Sequence, residues 1–339
     1  MKIKTVAILG AGAVGSYVIW GLAGLKDVRL GLIAQGERQE RLRKEGCLIN
    51  DEVYRPEVWT PEEAHNTGVD ILIVSLKYGA LKGALDNIAT AIGENTIVMS
   101  LMNGVDSEDI IADSEDIIAD RIGMSHIVYS LIKVASHRDG RGYYFNPDTT
   151  IGIIFGETAD KVSASDKISE QTLVSDRIKL IDELFAASKL NYRVTEHIKE
   201  EMWSKFRLNV SNNLPQAVLG AGVGCYRDSE HMKAISDGLR HELETIAKAK
   251  GIDLSVIDNS SSRGSAVPPT ARYSTLQDID AKRHTEIDMF SGALMRMGEE
   301  FGIPTPYNEY TYHIIKAIEE KNDGRFDYDK GNEELTYAR

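Results

Sequence analysis

The chain has 339 residues, enough material for two domains, with ordinary apolar and charged shares and a formal net charge of −13. Acidity on this scale excludes nucleic acid and an anionic membrane surface as expected partners, since both need clustered Lys and Arg, but it leaves room for a small anionic ligand held by a local site. Cys47 and Cys225 stand far apart and the eight histidines contain no H-x-x-x-H pair, so neither a disulfide framework nor a metal is expected.

Residues 4–9 form a short apolar run that reads as a buried parallel strand. It leads directly into Gly10-Ala11-Gly12-Ala13-Val14-Gly15, and a helical pattern follows at 16–25. Glycine at these three positions, after a strand and before a helix, suits a tight turn with a pyrophosphate close to the backbone at a helix N-terminus. A tight structural turn is the competing reading. Residues 28–34 read as the second strand, which ends in Ala34-Gln35-Gly36-Glu37-Arg38. No acid stands at the strand end to take a ribose 2′-hydroxyl, and Arg38, Arg41, Arg43 and Lys44 follow, a balance that favours NADP over NAD. Arg38 is the expected phosphate partner, and the other cations also read as the wet face of a helix.

Residues 70–76 and 95–102 are two further buried strands. Lys77 follows the first and Asn103-Gly104-Val105 the second, and ligands of open α/β sheets gather at such carboxyl ends. The heptad Ser-Glu-Asp-Ile-Ile-Ala-Asp of 107–113 is repeated at 114–120. Seven residues are nearly two helical turns, so Ile110, Ile111, Ile117 and Ile118 share one face of a lengthened amphipathic helix. The alternation of strands and helices predicts a Rossmann-type, doubly wound parallel sheet over residues 1–193.

From 194 to 339 long helical patterns predict an all-helical domain, with helices near 197–222, 228–250, 285–302 and 307–321. In the first of these, Lys205, Asn209 and Asn213 recur at i, i+4 and i+8 among Trp203, Phe206, Leu208 and Val210. An ammonium and two amides in a row suit a polar anionic small molecule, and Asn is a poor choice inside a helix unless its amide has a partner. A solvated helix face is the alternative. The polar loop 258–271 reads as a candidate lid. Ser274, as an N-cap, and Glu286, as an acid in the first turn of a helix, have plain structural readings too.

Together, Gly10-x-Gly12-x-x-Gly15, Lys77, Asn103-Gly104-Val105, Lys205…Asn209…Asn213, Ser274-x-Leu-Gln-Asp278 and Arg283-His-Thr-Glu286-Ile-Asp288 resemble the ketopantoate reductase family over residues 3 to about 322. The resemblance implies an NADP-binding Rossmann domain (1–193), a helical catalytic domain (194–339), and reduction of a small 2-oxo acid by NADPH. Carried over by position, it implies Lys205 as the general acid, Asn209, Asn213 and Ser274 on the substrate, Lys77 and Asn103 on the cofactor, and Glu286 at both. Three departures stand out. Gln35 replaces a common arginine, which leaves Arg38 to meet the 2′-phosphate. The family's Asn-Pro is Asn213-Leu-Pro215 here, and the Gly-rich segment 219–225 shows no asparagine matching a further substrate amide. The expected function is ketopantoate reduction to pantoate. The alternatives are reduction of another branched 2-oxo acid to a D-2-hydroxy acid, and a non-catalytic NADP(H)-sensing protein. A cytoplasmic enzyme is expected, with no membrane partner, and a homodimer by analogy with cytoplasmic enzymes generally.

Overall fold

The computed structural model describes residues 2–102, 114–157, 175–258 and 268–327. The chain divides into two compact units, Met1–Met202 and Trp203–Arg339. The division falls inside a helix.

The first unit runs β1 (Thr5–Leu9), α1 (Ala13–Leu22), β2 (Arg29–Ile33), α2 (Gly36–Glu45), β3 (Cys47–Ile49), β4 (Glu52–Tyr54), β5 (Glu57–Trp59), α3 (Pro61–Thr67), β6 (Ile71–Val74), α4 (Leu81–Ala91) and β7 (Ile97–Ser100). It continues with α5 (Ser114–Ile122), β8 (Ile127–Lys133), β9 (Ser136–Asp139), β10 (Gly142–Phe145), β11 (Gly152–Gly156), α6 (Asp176–Ala186) and β12 (Tyr192–Val194). Eight strands form the main sheet in the order β12-β11-β8-β7-β6-β1-β2-β5. All its pairings are parallel except β8 with β11.

Side-chain alternation explains why the sheet is covered on both faces. Val6 and Ile8 of β1, Ile71 and Ile73 of β6, and Ile97 and Met99 of β7 pack with Tyr17 of α1 and Ile181 and Phe185 of α6. Ala7, Leu9, Leu72, Val74 and Val98 pack on the other face with Ala64 of α3, Ile88 of α4 and Ile118 of α5. Each large apolar side chain among these contributes roughly 1.5–3 kcal/mol by leaving water. A one-residue slip would exchange the two sets, so these short strands have a firmly specified register.

Two features depart from the sequence reading. The sheet is not wholly parallel, because the β9–β10 hairpin follows β8 and the chain returns along it as β11. A second sheet, β4-β3-β10-β9, joins segments nearly a hundred residues apart, a pairing that local periodicity does not carry. Of the duplicated heptad, the second copy is helical in α5, with Ile118 buried and Ile117 half-buried, while the first copy lies outside the described residues.

The second unit is helical. α7 (Ile198–Leu208) crosses the division and runs through a π-helical turn, Asn209–Asn213, into α8 (Leu214–Leu219). Then come α9 (Cys225–Asp228), α10 (Glu230–Ala249), α11 (Ser255–Asp258), α12 (Ser274–Asp280), α13 (Ser291–Phe301) and α14 (Pro306–Asn322). Leu239, Leu243 and Ile246 of α10 repeat at helical spacing and are buried. Buried Glu242 of α10 accepts from the Tyr307 and Asn308 N–H groups at 2.8 and 3.0 Å, so it caps α14 from outside, where a carboxylate is favoured. No helix among the described residues is long and apolar enough to cross a membrane.

Candidate active site

The glycine motif occupies the carboxyl end of β1, beside β6. Gly10 has φ +112°, and a Cβ there would meet the Ser75 carbonyl oxygen at 2.5 Å. Ser75 also donates its hydroxyl to the Gly10 carbonyl at 2.8 Å. A Cβ on Gly15 would stand 1.9 Å from the same Gly10 carbonyl oxygen. These two glycines therefore serve close backbone packing. Gly12 differs, because a Cβ there would enter open space with nothing within 4 Å.

That open space tests the dinucleotide implied by the motif. α1 begins at Ala13 with no side-chain cap and no acid in its first turn. Ser16 N–H is the first to close onto the helix, on the Gly12 carbonyl at 2.8 Å, which leaves the Ala13, Val14 and Gly15 N–H groups without intrahelical acceptors. Ala11, Gly12, Ala13 and Val14 are half-buried around this end. A bare helix N-terminus beneath a glycine with empty space above it fits a pyrophosphate.

Gln35 is exposed in extended backbone just before α2, and Arg38 is exposed in the first turn of that helix. Arg43, a competing cation, is committed elsewhere: its guanidinium donates to the Val58 carbonyl at 2.9 Å and pairs with Glu63 at 3.2 Å. Lys77 is exposed and precedes a single 3-10 turn, Tyr78–Ala80, at the same end of the sheet as the glycine motif. Asn103 lies outside the described residues, as does most of the loop expected to form a lid.

In the second unit Lys205 is half-buried on α7, flanked by buried Trp203 and Phe206. Leu208, expected to wall the same stripe, is instead 42% exposed. The predicted single helix is interrupted where the amides lie. Across the π turn the Asn213 side-chain amide donates to the Asn209 side-chain oxygen at 3.3 Å, so the two amides meet. Three features meet at this turn. Pro215 has no N–H to give. The Ser211 hydroxyl bonds back to the Arg207 carbonyl at 2.8 Å, an arrangement that bends helices. The Tyr226 hydroxyl enters the backbone ladder, taking the Gln216 N–H at 3.1 Å and donating to the Asn212 carbonyl.

Ser274 is the first residue of α12 and not its cap, which corrects the plain reading of its role: Tyr273 holds the cap position and no side chain caps the helix. Gln216, fully buried, fixes the approach to it. Its amide oxygen accepts from Tyr273 N–H at 2.7 Å and its amide nitrogen donates to the Ala271 carbonyl at 3.0 Å. Glu286 likewise does not sit in the first turn of a helix. It begins a series of turns that leads into α13 at Ser291, because the Met289 and Phe290 N–H groups fold back onto its carbonyl.

Ion pairs and hydrogen bonds from neighbouring side chains hold this bend. Arg283 donates twice to one oxygen of Asp278, at 3.0 and 2.8 Å. Glu319, 2% exposed on α14, accepts from the Thr285 N–H and hydroxyl at 2.6 and 2.7 Å. Asp288 accepts from Tyr312 at 2.7 Å and pairs with Lys316 at 3.2 Å. The Phe206 and Phe290 rings are 6.3 Å apart, which sets the Glu286 bend beside the helix that bears Lys205. Gln216, Tyr226 and Glu319 escaped sequence reasoning, since none belongs to a local pattern and each acts on residues well removed in sequence.

Two family models match the chain: "Ketopantoate reductase PanE/ApbA" over residues 6–157 and "Ketopantoate reductase PanE/ApbA C terminal" over residues 197–319. A 2-dehydropantoate 2-reductase from Mesorhizobium japonicum is 26% identical, over 92% of this chain and 97% of its own. Among solved structures, a PanE/ApbA family ketopantoate reductase from Ralstonia eutropha aligns with TM-score 0.74 at 21% identity, over 94% of this chain and 99% of its own. A D-mandelate dehydrogenase described in a ternary structure with NADH and anilino(oxo)acetate aligns with TM-score 0.76 at 21% identity and the same coverage.

Proposed function

The chain belongs to the ketopantoate reductase family and is an oxidoreductase of that type, and on that footing we propose that it reduces ketopantoate to pantoate with NADPH. The observation that carries the reading is the hydrogen bond between the Asn209 and Asn213 amides within a π turn, one helical step from Lys205. A helix with only a solvated face has no need of a turn that abandons its regular hydrogen bonds. A nicotinamide dinucleotide, when bound, supplies the hydride.

The chain's own residues do the rest. The N–H groups at the start of α1 take the pyrophosphate, and Arg38 takes the 2′-phosphate in place of an arginine at Gln35. Lys77 and Asn103, which follow β6 and β7, complete the cofactor's contacts. Negative charge grows on the substrate's carbonyl oxygen during reduction, and the Lys205 ammonium stabilises it and donates the proton. Asn209, Asn213 and Ser274 hold the carboxylate and the neighbouring oxygen, which fixes the reacting carbon. Glu286 orients Lys205 by charge and contacts the ribose.

A second reading, another branched 2-oxo acid reduced with NADH, is favoured by Gln35, which offers no charge to a 2′-phosphate. The deciding experiment follows the absorbance of reduced nicotinamide with NADPH and NADH in parallel, on ketopantoate, 2-oxoisovalerate and 2-oxoisocaproate. Fastest turnover of ketopantoate with NADPH supports the proposal. Turnover confined to another acid, or to NADH, replaces it with the second reading. Lys205→Ala is expected to keep its fold and its dinucleotide affinity while losing about 10²–10⁴-fold in turnover. Full activity in that variant removes Lys205 as proton donor.

A further inference from the structure

The hydroxyl of Tyr226 stands where a helix normally bonds to itself. In an unbroken α-helix the Gln216 N–H would reach the Asn212 carbonyl directly. Here the phenol lies between them, accepting from the first at 3.1 Å and donating to the second. Burial pushes this phenol well above its ordinary range, so it remains a protonated donor at any working pH.

Of the three features that meet at the turn, Pro215 and Ser211 belong to the helix itself. Tyr226 reaches in from α9 and is itself fastened. The Val223 and Gly224 N–H groups donate to the Ala271 and Pro269 carbonyls at 3.0 and 2.9 Å. A Cβ on Gly222 would meet the Pro269 carbonyl oxygen at 2.4 Å, so the Gly-rich segment is what allows this approach. Gln216, whose N–H the phenol takes, also grips residues 271–273 just ahead of Ser274.

We propose that Tyr226 is a positioning residue for substrate affinity: its hydroxyl holds open the turn that sets the bearing of Asn213 relative to Asn209 and, through Gln216, steadies the approach to Ser274. This rests on the reading that these amides hold a 2-oxo acid. Without the hydroxyl, Gln216 N–H closes onto Asn212, the turn tightens toward α geometry, and Asn213 takes a different bearing about the helix axis relative to Asn209.

Tyr226→Phe tests this in the full-length enzyme. The expected result is a KM for the 2-oxo acid raised about tenfold, with kcat held within about twofold, since binding and not the proton donor is disturbed. Dinucleotide affinity, measured by fluorescence titration without substrate, stays the same. Asn213→Ala raises KM in the parent but adds nothing in the Tyr226→Phe background, because the two changes remove one interaction. Pro215→Ala, with the hydroxyl still in place, leaves KM within about twofold.

A Tyr226→Phe enzyme with unchanged KM overturns the proposal, as does a Pro215→Ala enzyme that reproduces the tenfold rise. If the parent turns over no 2-oxo acid, the functional reading has failed. A crystal structure of Tyr226→Phe then decides the positioning role by itself. A direct Gln216–Asn212 bond, with Asn213 turned about the helix axis relative to Asn209, supports it, and an unaltered π turn sinks it.

Discussion

On the proposed reading, the carboxyl end of the parallel sheet and the polar stripe of the helical unit meet their ligands by opposite means. At the sheet the groups proposed to bind are backbone: helix N–H groups, a glycine with empty space above it, and two glycines that let β1 and β6 close up behind. In the helical unit they are side chains, backed by others that fix the neighbouring chain: Gln216 ahead of Ser274, Glu319 and Asp278 around the Glu286 bend, Tyr226 at the turn that bears the amides. Backbone recognition needs only an absence of Cβ atoms at fixed spacing. Side-chain recognition needs a second layer of partners, because a polar group holds its geometry only when its own hydrogen bonds are satisfied.

The sharpest way to break this contrast is Gly15→Ala. Its Cβ would stand 1.9 Å from a carbonyl oxygen that cannot move without shifting β1. A loss of about 3 kcal/mol is expected, seen as a fall in Tm together with weakened dinucleotide binding. A stable variant with unaltered affinity would show that the loop tolerates side chains after all.

Glu319→Gln probes the other half. It leaves the Thr285 N–H and hydroxyl to share a weaker acceptor in a buried place, at a cost of about 2 kcal/mol. Turnover is expected to fall roughly tenfold as the Glu286 bend loosens, with dinucleotide affinity intact. Equal losses in turnover and in dinucleotide affinity would erase the distinction between the two regions.

The smallest effect is a control on β12, at the edge of the main sheet. Burial and the hydrogen bond to Asp182 raise the Tyr192 phenol to about 12. The unfolded phenol ionises near about 10, so the folded state holds its proton longer. The stability tied to that proton is complete below the unfolded value and is lost as pH rises from there through the folded one. Tyr192→Phe should flatten this part of the alkaline stability curve and leave both substrate and dinucleotide affinity alone. An alkaline curve unchanged by the substitution assigns the loss to other groups.

Much of the sheet was legible because its physics is local. Short apolar runs marked β1, β2, β6 and β7, and Gly10-x-Gly12-x-x-Gly15 marked the turn after the first. The antiparallel return of β11 and the sheet joining β3 to β10 were not, since they pair residues that no periodicity links. In the helical unit the spacing of Lys205, Asn209 and Asn213 was visible, but the π turn between the amides was not. Its hydroxyl comes from Tyr226, and nothing about a tyrosine in a Gly-rich segment announces where its oxygen will go. Ser274 and Glu286 could be named by motif, yet their surroundings depend on Gln216 and Glu319, which lie far from them in sequence.

The widened turn also bears on where a chain can take up length. A π turn takes up one residue more than the α turn it replaces. The second amide and the proline are separated here by Leu214, just past the turn. Extra residues are usually sought in loops, but a turn of this kind houses one in the middle of a helix, with helix resuming on either side.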